Sequence, residues 1–292
     1  MSVRDTVLNI REALYSVPQY VLPQHSLSRL MHHMSRCENK VWKNACITSF
    51  VRLFDVNMNE AAEPNPRAYP CFNAFFTRAL KPEARPLYPE AGAVLCPADG
   101  TLCQIGKLTD DQIIQAKGNT FSATQLLGGA AERAKPFLNG RFATIYLSPR
   151  DYHRLHMPLA GRLREMVHVP GRLFSVNAAT TNFVPGLFAR NERVVALFDT
   201  EIGPMALVLV GAIFVASIET VWHGVVTPPT MESARIWNYA EDAPSLAKGE
   251  EMGRFNMGST IIALFGEDAV SWERNLMPGS AVRMGQILGR FS

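Results

Sequence analysis

At 292 residues, 47% apolar and 19% charged, the chain is long enough for one large domain, or a domain with an appendage, and carries ample material for a buried core. Its net charge of +3 and pI near 8.6 are too weak a bias to argue for nucleic acid, and no aromatic-basic interleaving does so; they fit an anionic surface such as a membrane without requiring one. The five scattered cysteines (Cys37, Cys46, Cys71, Cys96 and Cys103) are odd in number and form no CxxC pair, which speaks for reduced thiols and against a disulfide framework or a metal site.

The first residues show no secretory-signal pattern, because Arg4, Asp5, Arg11 and Glu12 interrupt them. The first ~60 residues read as helical. Val7, Leu8, Ile10, Leu14 and Tyr15 recur at helical spacing until Pro18 stops the pattern. Ser26 is placed to cap a second helix bearing Leu27, Leu30, Met31 and Met34 on one face. A third helix is predicted over Glu38 to Val56, with Trp42, Cys46, Ile47, Phe50, Val51 and Phe54 on its apolar side. Arg11, Arg29, Arg36, Lys40, Lys43 and Arg52 supply basic partners. Two roles are open to these helices: packing on the domain that follows, or lying in a lipid interface with Lys and Arg at the headgroups.

Residues 61–70 form a proline-rich link, and the expected organisation is a helical membrane-association region over 1–66 followed by a β-rich catalytic domain over 67–292. Beyond the link, short runs rich in Val, Ile, Phe and Leu alternate with Gly, Pro and Asp turns. Strands are predicted at Ala93–Cys96, Thr101–Ile105, Phe142–Leu147, Gly161–Val169, Val194–Phe198, Ala206–Val210, Ala212–Ile218, Thr220–Val226, Ser259–Phe265 and Ile287–Gly289. The class is therefore α+β, with a mainly antiparallel barrel or sandwich. Residues 228–250 are polar and turn-rich, and read as a mobile loop. The longest apolar stretch, Met205 to Ile218, is shorter than the ~20 residues that span a bilayer and reads as two buried strands around Gly211.

Gly258-Ser259-Thr260 precedes the apolar run Ile261-Ile262-Ala263-Leu264-Phe265. A serine after a glycine can turn its hydroxyl on the preceding carbonyl, since glycine tolerates strained backbone angles. The resulting ester can break by β-elimination, leaving dehydroalanine, which hydrolyses to a pyruvoyl group at position 259. The tripeptide alone is common, and reads equally as a turn or the start of a strand.

Other segments accompany it: Pro97-Ala98-Asp99-Gly100, Ser148-Pro149-Arg150-Asp151-Tyr152-His153-Arg154-Leu155-His156-Met157-Pro158, Phe188-Ala189-Arg190-Asn191-Glu192-Arg193, Phe198-Asp199-Thr200-Glu201, Gly203-Pro204-Met205 and Glu250-Glu251-Met252-Gly253-Arg254-Phe255. In this order they resemble the bacterial, pyruvoyl-dependent phosphatidylserine decarboxylases over roughly residues 45 to 290. Many bacterial members carry leucine where this chain has Met257, a residue of similar size.

The resemblance implies self-cleavage between Gly258 and Ser259 into chains 1–258 and 259–292, with Ser259 becoming the covalent pyruvoyl cofactor. It implies that Asp99, His156 and Ser259 form a charge relay for that cleavage, and that His153 positions the substrate and returns a proton to the product. The pyruvoyl carbonyl would take the amine of phosphatidylserine as a Schiff base, accept the electrons left by CO₂ and release phosphatidylethanolamine. Arg172, Leu173 and Phe174 are expected near the substrate, although a surface turn explains Arg172 as well. His168 and His223 read as structural; His25, His32 and His33 fall among the helices.

The partners expected are a membrane containing phosphatidylserine, the two chains of one precursor, and a second copy in a homodimer. No metal or nucleic acid is expected, and the location is peripheral, on the cytoplasmic side of the cell membrane. Two other readings compete: a serine hydrolase using Asp99, His156 and Ser259 without self-cleavage, and a non-catalytic membrane-associated binding module. The Gly-x-Ser-x-Gly elbow of hydrolases is absent around Ser259.

Overall fold

The computed structural model describes residues 12–214, 217–228 and 233–291. The apolar run after Ser259 forms the strand Thr260–Phe265, every residue of which is buried. It lies between Arg141–Tyr146 and Gly203–Val210, antiparallel to both, with Thr260 opposite Tyr146 and Val210. Side chains alternate across a strand, so Ile261, Ala263 and Phe265 enter one core while Ile262 and Leu264 enter another. A strand covered on both faces has no polar side to present, which explains the continuous apolar run.

This strand is central to a nine-stranded antiparallel sheet. One end of the sheet is Arg235–Asn238 and the other Ala281–Val282. These ends do not pair with one another among the described residues, so the α+β antiparallel reading holds but the sheet does not close into a barrel. One face packs against a four-stranded sheet (Gly224–Val225, Ser217–Thr220, Glu251–Asn256, Arg154–His156) and a three-stranded one (Ala93–Leu95, Ile287–Arg290, Ser271–Trp272). Short helices cover the other face, supplying Leu126, Phe137, Leu187 and Phe188. Replacing fully buried Ile262 by alanine should cost about 2–5 kcal/mol in chemical denaturation, because the flanking strands cannot collapse into the vacated space.

Several local expectations are corrected. Residues 228–250 do not form one open loop: Arg235–Asn238 and Ser245–Leu246 both pair with Gly161–Val169. Residues 212–214 lie in a turn region, and the next strand begins only at Ser217. The second helix starts at Gln24 after Pro23, with Ser26 inside its first turn, so serine does not cap it. Its buried positions are polar: Gln24, Ser28 and Ser35. Gln24 Nε2 donates to Gln19 O at 2.7 Å, and its Oε1 accepts the Leu173 N–H at 2.9 Å.

The third helix runs Lys40–Phe54, capped by Asn39, whose side chain accepts the N–H groups of Val41 and Trp42. It buries Ile47 fully and presents Phe50 to Phe54, Phe72, Phe75 and Phe76. The predicted helix around Val7–Tyr15 falls mostly outside the described residues; 12–16 are helical and Val17–Tyr20 continue as a 3-10 turn.

Candidate active site

Strand Glu251–Asn256 delivers the chain to residue 257 on the four-stranded sheet, and the central strand takes it away from residue 260. The link between them turns sharply. Met257 has φ +91° and Gly258 φ +75°. Met257 carries a side chain in a backbone region that L-residues avoid, so the turn holds strain two residues before Ser259. The turn is pinned on both sides. Asn256 donates from Nδ2 to Ser217 Oγ at 2.6 Å and accepts from Asn73 Nδ2 at 3.0 Å. Beyond the turn, Ser259 O accepts the Leu147 N–H at 2.8 Å.

The Ser259 hydroxyl is buried and has no hydrogen-bond partner among the described residues. It lies at a cavity of about 310 Å³ whose walls include Phe50, Phe54, Phe76, Tyr146, Val176 and Phe214, with no charged side chain among the lining residues. At Gly258 an added Cβ would stand 3.4 Å from His153 Nε2 and 3.8 Å from Phe76 Cζ. Gly258→Ala should fold with a loss of about 1–2 kcal/mol for alanine in the left-handed region, and should cleave more slowly in a timed gel assay.

His153 backs this turn. It is fully buried and packs on Phe76, ring centroids 4.0 Å apart. Its Nδ1 donates to Asp151 O at 2.8 Å, which leaves Nε2 as an unprotonated, unpartnered acceptor near Gly258. Burial, and then the charge of Arg78, push its pKa down to about 3, so the ring is neutral near pH 7.

His156 sits on the strand Arg154–His156. Its Nδ1 donates to Gly249 O at 2.8 Å and its Nε2 accepts from Tyr152 Oη at 3.1 Å. Burial lowers its pKa also. Asp99 faces a separate polar cavity of about 300 Å³. Gly100, which opens the strand Gly100–Lys107, lets the chain approach the neighbouring strand closely, since a Cβ would lie 2.2 Å from Tyr146 O. Arg85 Nε donates to both Asp99 oxygens, at 2.8 and 3.0 Å, and its Nη2 donates to Oδ2. The Met284 N–H donates to Asp99 Oδ1 at 2.9 Å, and Arg85 also pairs with Glu60 at 2.8 Å.

Of the residues singled out from sequence, the structure therefore brings His153, Gly258 and Ser259 together. No hydrogen bond joins Asp99 to His156, or His156 to Ser259; their nearest partners are Arg85, Tyr152 and Gly249. Leu173 and Phe174 point into the core, and Ser175 and Val176 line the cavity in their place. The reason is the attachment of the helical region. Leu173 and Ser175 give their N–H groups to Gln24 and Gln19, Phe174 packs on Tyr20, and Arg172 donates to Tyr20 O at 2.6 Å.

Sequence reasoning passed over Arg85, Phe76 and Tyr146, and read Phe50 and Phe54 only as the apolar side of a helix, not as a cavity wall. Tyr146 carried a signal, since it lies in the strand predicted at Phe142–Leu147, just before Ser148-Pro149. His168 is buried against Glu192 at 3.0 Å and His223 packs on Trp237, as structural roles require.

The profile of the family described as phosphatidylserine decarboxylase matches residues 72–290, and a second, described as PSD, matches residues 14–55. The phosphatidylserine decarboxylase proenzyme of Ectopseudomonas mendocina (strain ymp) is 57% identical over 282 residues, covering 96% of this chain and 99% of the relative. Those of Pseudomonas putida (strain GB-1) and Bordetella pertussis are each 58% identical, over 96% and 95% of this chain and 98% and 94% of theirs. The chain belongs to the phosphatidylserine decarboxylase family.

Proposed function

We propose that the chain is made as a precursor that cuts itself between Gly258 and Ser259 and then converts phosphatidylserine to phosphatidylethanolamine and CO₂. The observation that carries this reading is the orphaned Ser259 hydroxyl, buried after two residues of positive φ at the floor of an uncharged cavity. In the cleavage, Ser259 Oγ attacks the Gly258 carbonyl carbon, the C–N bond breaks, and the freed nitrogen takes a proton. Loss of the Ser259 α-proton then breaks the Cβ–Oγ bond, with Gly258 leaving as a carboxylate. Hydrolysis releases ammonia and leaves a pyruvoyl group, which the position of Ser259 fits. That group supplies an electron sink when the substrate amine is bound to it.

The chain's own residues supply the surroundings. The cavity has no lining cation to stabilise a carboxylate, so a substrate carboxylate there gains by losing its charge as CO₂. His153 is assigned to positioning the substrate and returning a proton to the product, for which Nε2, unprotonated in the precursor, must first take up a proton during turnover. His156, backed by Asp99, is the base for the Ser259 hydroxyl; to act, its Nε2 must exchange Tyr152 for Ser259, its Nδ1 must exchange Gly249 O for Asp99, and Asp99 must turn from Arg85. The intact mass of the denatured protein tests the reading: two chains support it, and one full-length chain with no decarboxylation overturns it.

Membrane association belongs to the same proposal. No helix among the described residues is long and apolar enough to cross a membrane. The region assigned to 1–66 nevertheless exposes Leu14, Val21, Val41 and Leu53, at 70%, 85%, 80% and 76%. An apolar groove of about 390 Å³ between its two longer helices reaches Phe50 and Met257. These features suit a peripheral protein on the cytoplasmic leaflet that draws a lipid towards Ser259. Two such processed pairs would form the homodimer. The double variant Val21→Glu, Leu53→Glu should bind anionic liposomes at least several-fold less in flotation, while retaining self-cleavage.

A further inference from the structure

The polar cavity beside Asp99 contains a cation, Arg78, that forms no ion pair among the described residues. Arg78 is only 4% exposed. Its Nη2 donates to Arg150 O at 3.1 Å, and its guanidinium lies 5.6 Å from the Phe75 ring centroid. Its Nε and Nη1 have no acceptor. The acids around the cavity are engaged elsewhere. Arg85 holds Glu60 and Asp99, and Asp99 also takes the Met284 N–H. Asp151 Oδ2 accepts the N–H and hydroxyl of Ser148, both at 2.7 Å. Asp55 lines the cavity but is solvent-exposed. A buried guanidinium with two idle donors is costly unless an anion meets it.

We propose that this cavity is a binding site for a phosphate-type oxyanion, with Arg78 as its buried anchor and the exposed Arg150 and Arg283 as outer cations. At about 300 Å³ the space admits such an ion with its water. A tetrahedral oxyanion offers acceptors in several directions, which suits the Arg78 guanidinium lining the cavity and the hydroxyl of Thr101 on the same wall. The site is distinct from the Ser259 cavity, since no residue lines both. The chain between them turns Leu147 and Pro149 to one side and Ser148, Arg150, Asp151 and Tyr152 to the other. The two sides are nevertheless in electrical contact. The charge of Arg78 helps to keep His153 neutral, and an anion on Arg78 would weaken that effect.

Calorimetric titration of the full-length protein with inorganic phosphate, at constant ionic strength, tests the site. Saturable one-to-one binding is expected, weakened about tenfold or more in Arg78→Gln and left unchanged in the surface variant Arg164→Gln, whose partner is Asp199. Glycerophosphoserine provides the second arm. Competition with phosphate would assign the site to a lipid headgroup, and no competition would assign it to the free ion. The His153 ring resonances should titrate at higher pH with phosphate present. Absence of saturable binding by either compound overturns the proposal, as does a folded Arg78→Gln with native affinity. Should Arg78→Gln fail to fold, the double variant Arg150→Gln, Arg283→Gln decides, and native affinity there overturns it. The titration reads binding alone, so its failure leaves the intact-mass test of the decarboxylase reading untouched.

Discussion

Replacing Ser259 with alanine should yield one chain of 292 residues where the native protein yields two, 1–258 and 259–292. The change removes a single oxygen from a buried side chain that makes no hydrogen bond, so the fold should survive it. Neither the acyl shift nor the later ketone can form without that oxygen. Decarboxylation should therefore fall to the uncatalysed level, the largest effect any single substitution in this chain is expected to have. Intact mass under denaturing conditions, with CO₂ release from phosphatidylserine, reads both outcomes. A cleaved and active Ser259→Ala would remove the basis of the proposed mechanism.

His153→Ala and His156→Ala should fail in different ways. With His153 in turnover and His156 in cleavage, His153→Ala should still give two chains but lose about 10²–10⁴-fold in decarboxylation, the usual worth of a positioned acid or base. His156→Ala should accumulate as uncleaved precursor. The precursor geometry makes this a sharp test. His153 Nε2 already stands beside Gly258 without a partner, whereas His156 is held by Tyr152 and Gly249. Were His153→Ala to remain uncleaved while His156→Ala split normally, the two roles would be exchanged, and His153 would act from where it stands.

The central strand illustrates what can be read from residues in order. Ile261 to Phe265 is apolar without interruption, and a strand buried on both faces needs that composition. The helix Lys40–Phe54 was legible for a similar reason, with Ile47 and Phe50 on its buried side, although its cap at Asn39 was not read from the sequence. The short strands Arg235–Asn238 and Ser245–Leu246 were not. Their order comes from the edge of Gly161–Val169 that accepts them, and their own residues are mostly exposed, with as many polar as apolar side chains. The polar buried positions of Gln24–Ser35 were equally hidden, because Gln24 is buried only where the Leu173 N–H awaits it.

At the site, sequence by itself supplied the residue types that the proposed function calls on: a serine after a glycine, two nearby histidines and an aspartate in a turn. Reactivity of this kind lies in residue type and in the covalent bond joining neighbours. Tertiary structure alone decided the rest. It gave Met257 and Gly258 their positive φ, by pinning Asn256 on one sheet and Thr260 on another. It set His153 beside Gly258 and tied His156 to Tyr152, although only three positions separate them in the chain. It also paired Asp99 with Arg85 and left Arg78 unpaired in the same cavity. Distances between groups far apart in sequence follow from how sheets and helices pack, and charge pairing in a buried site follows from those distances.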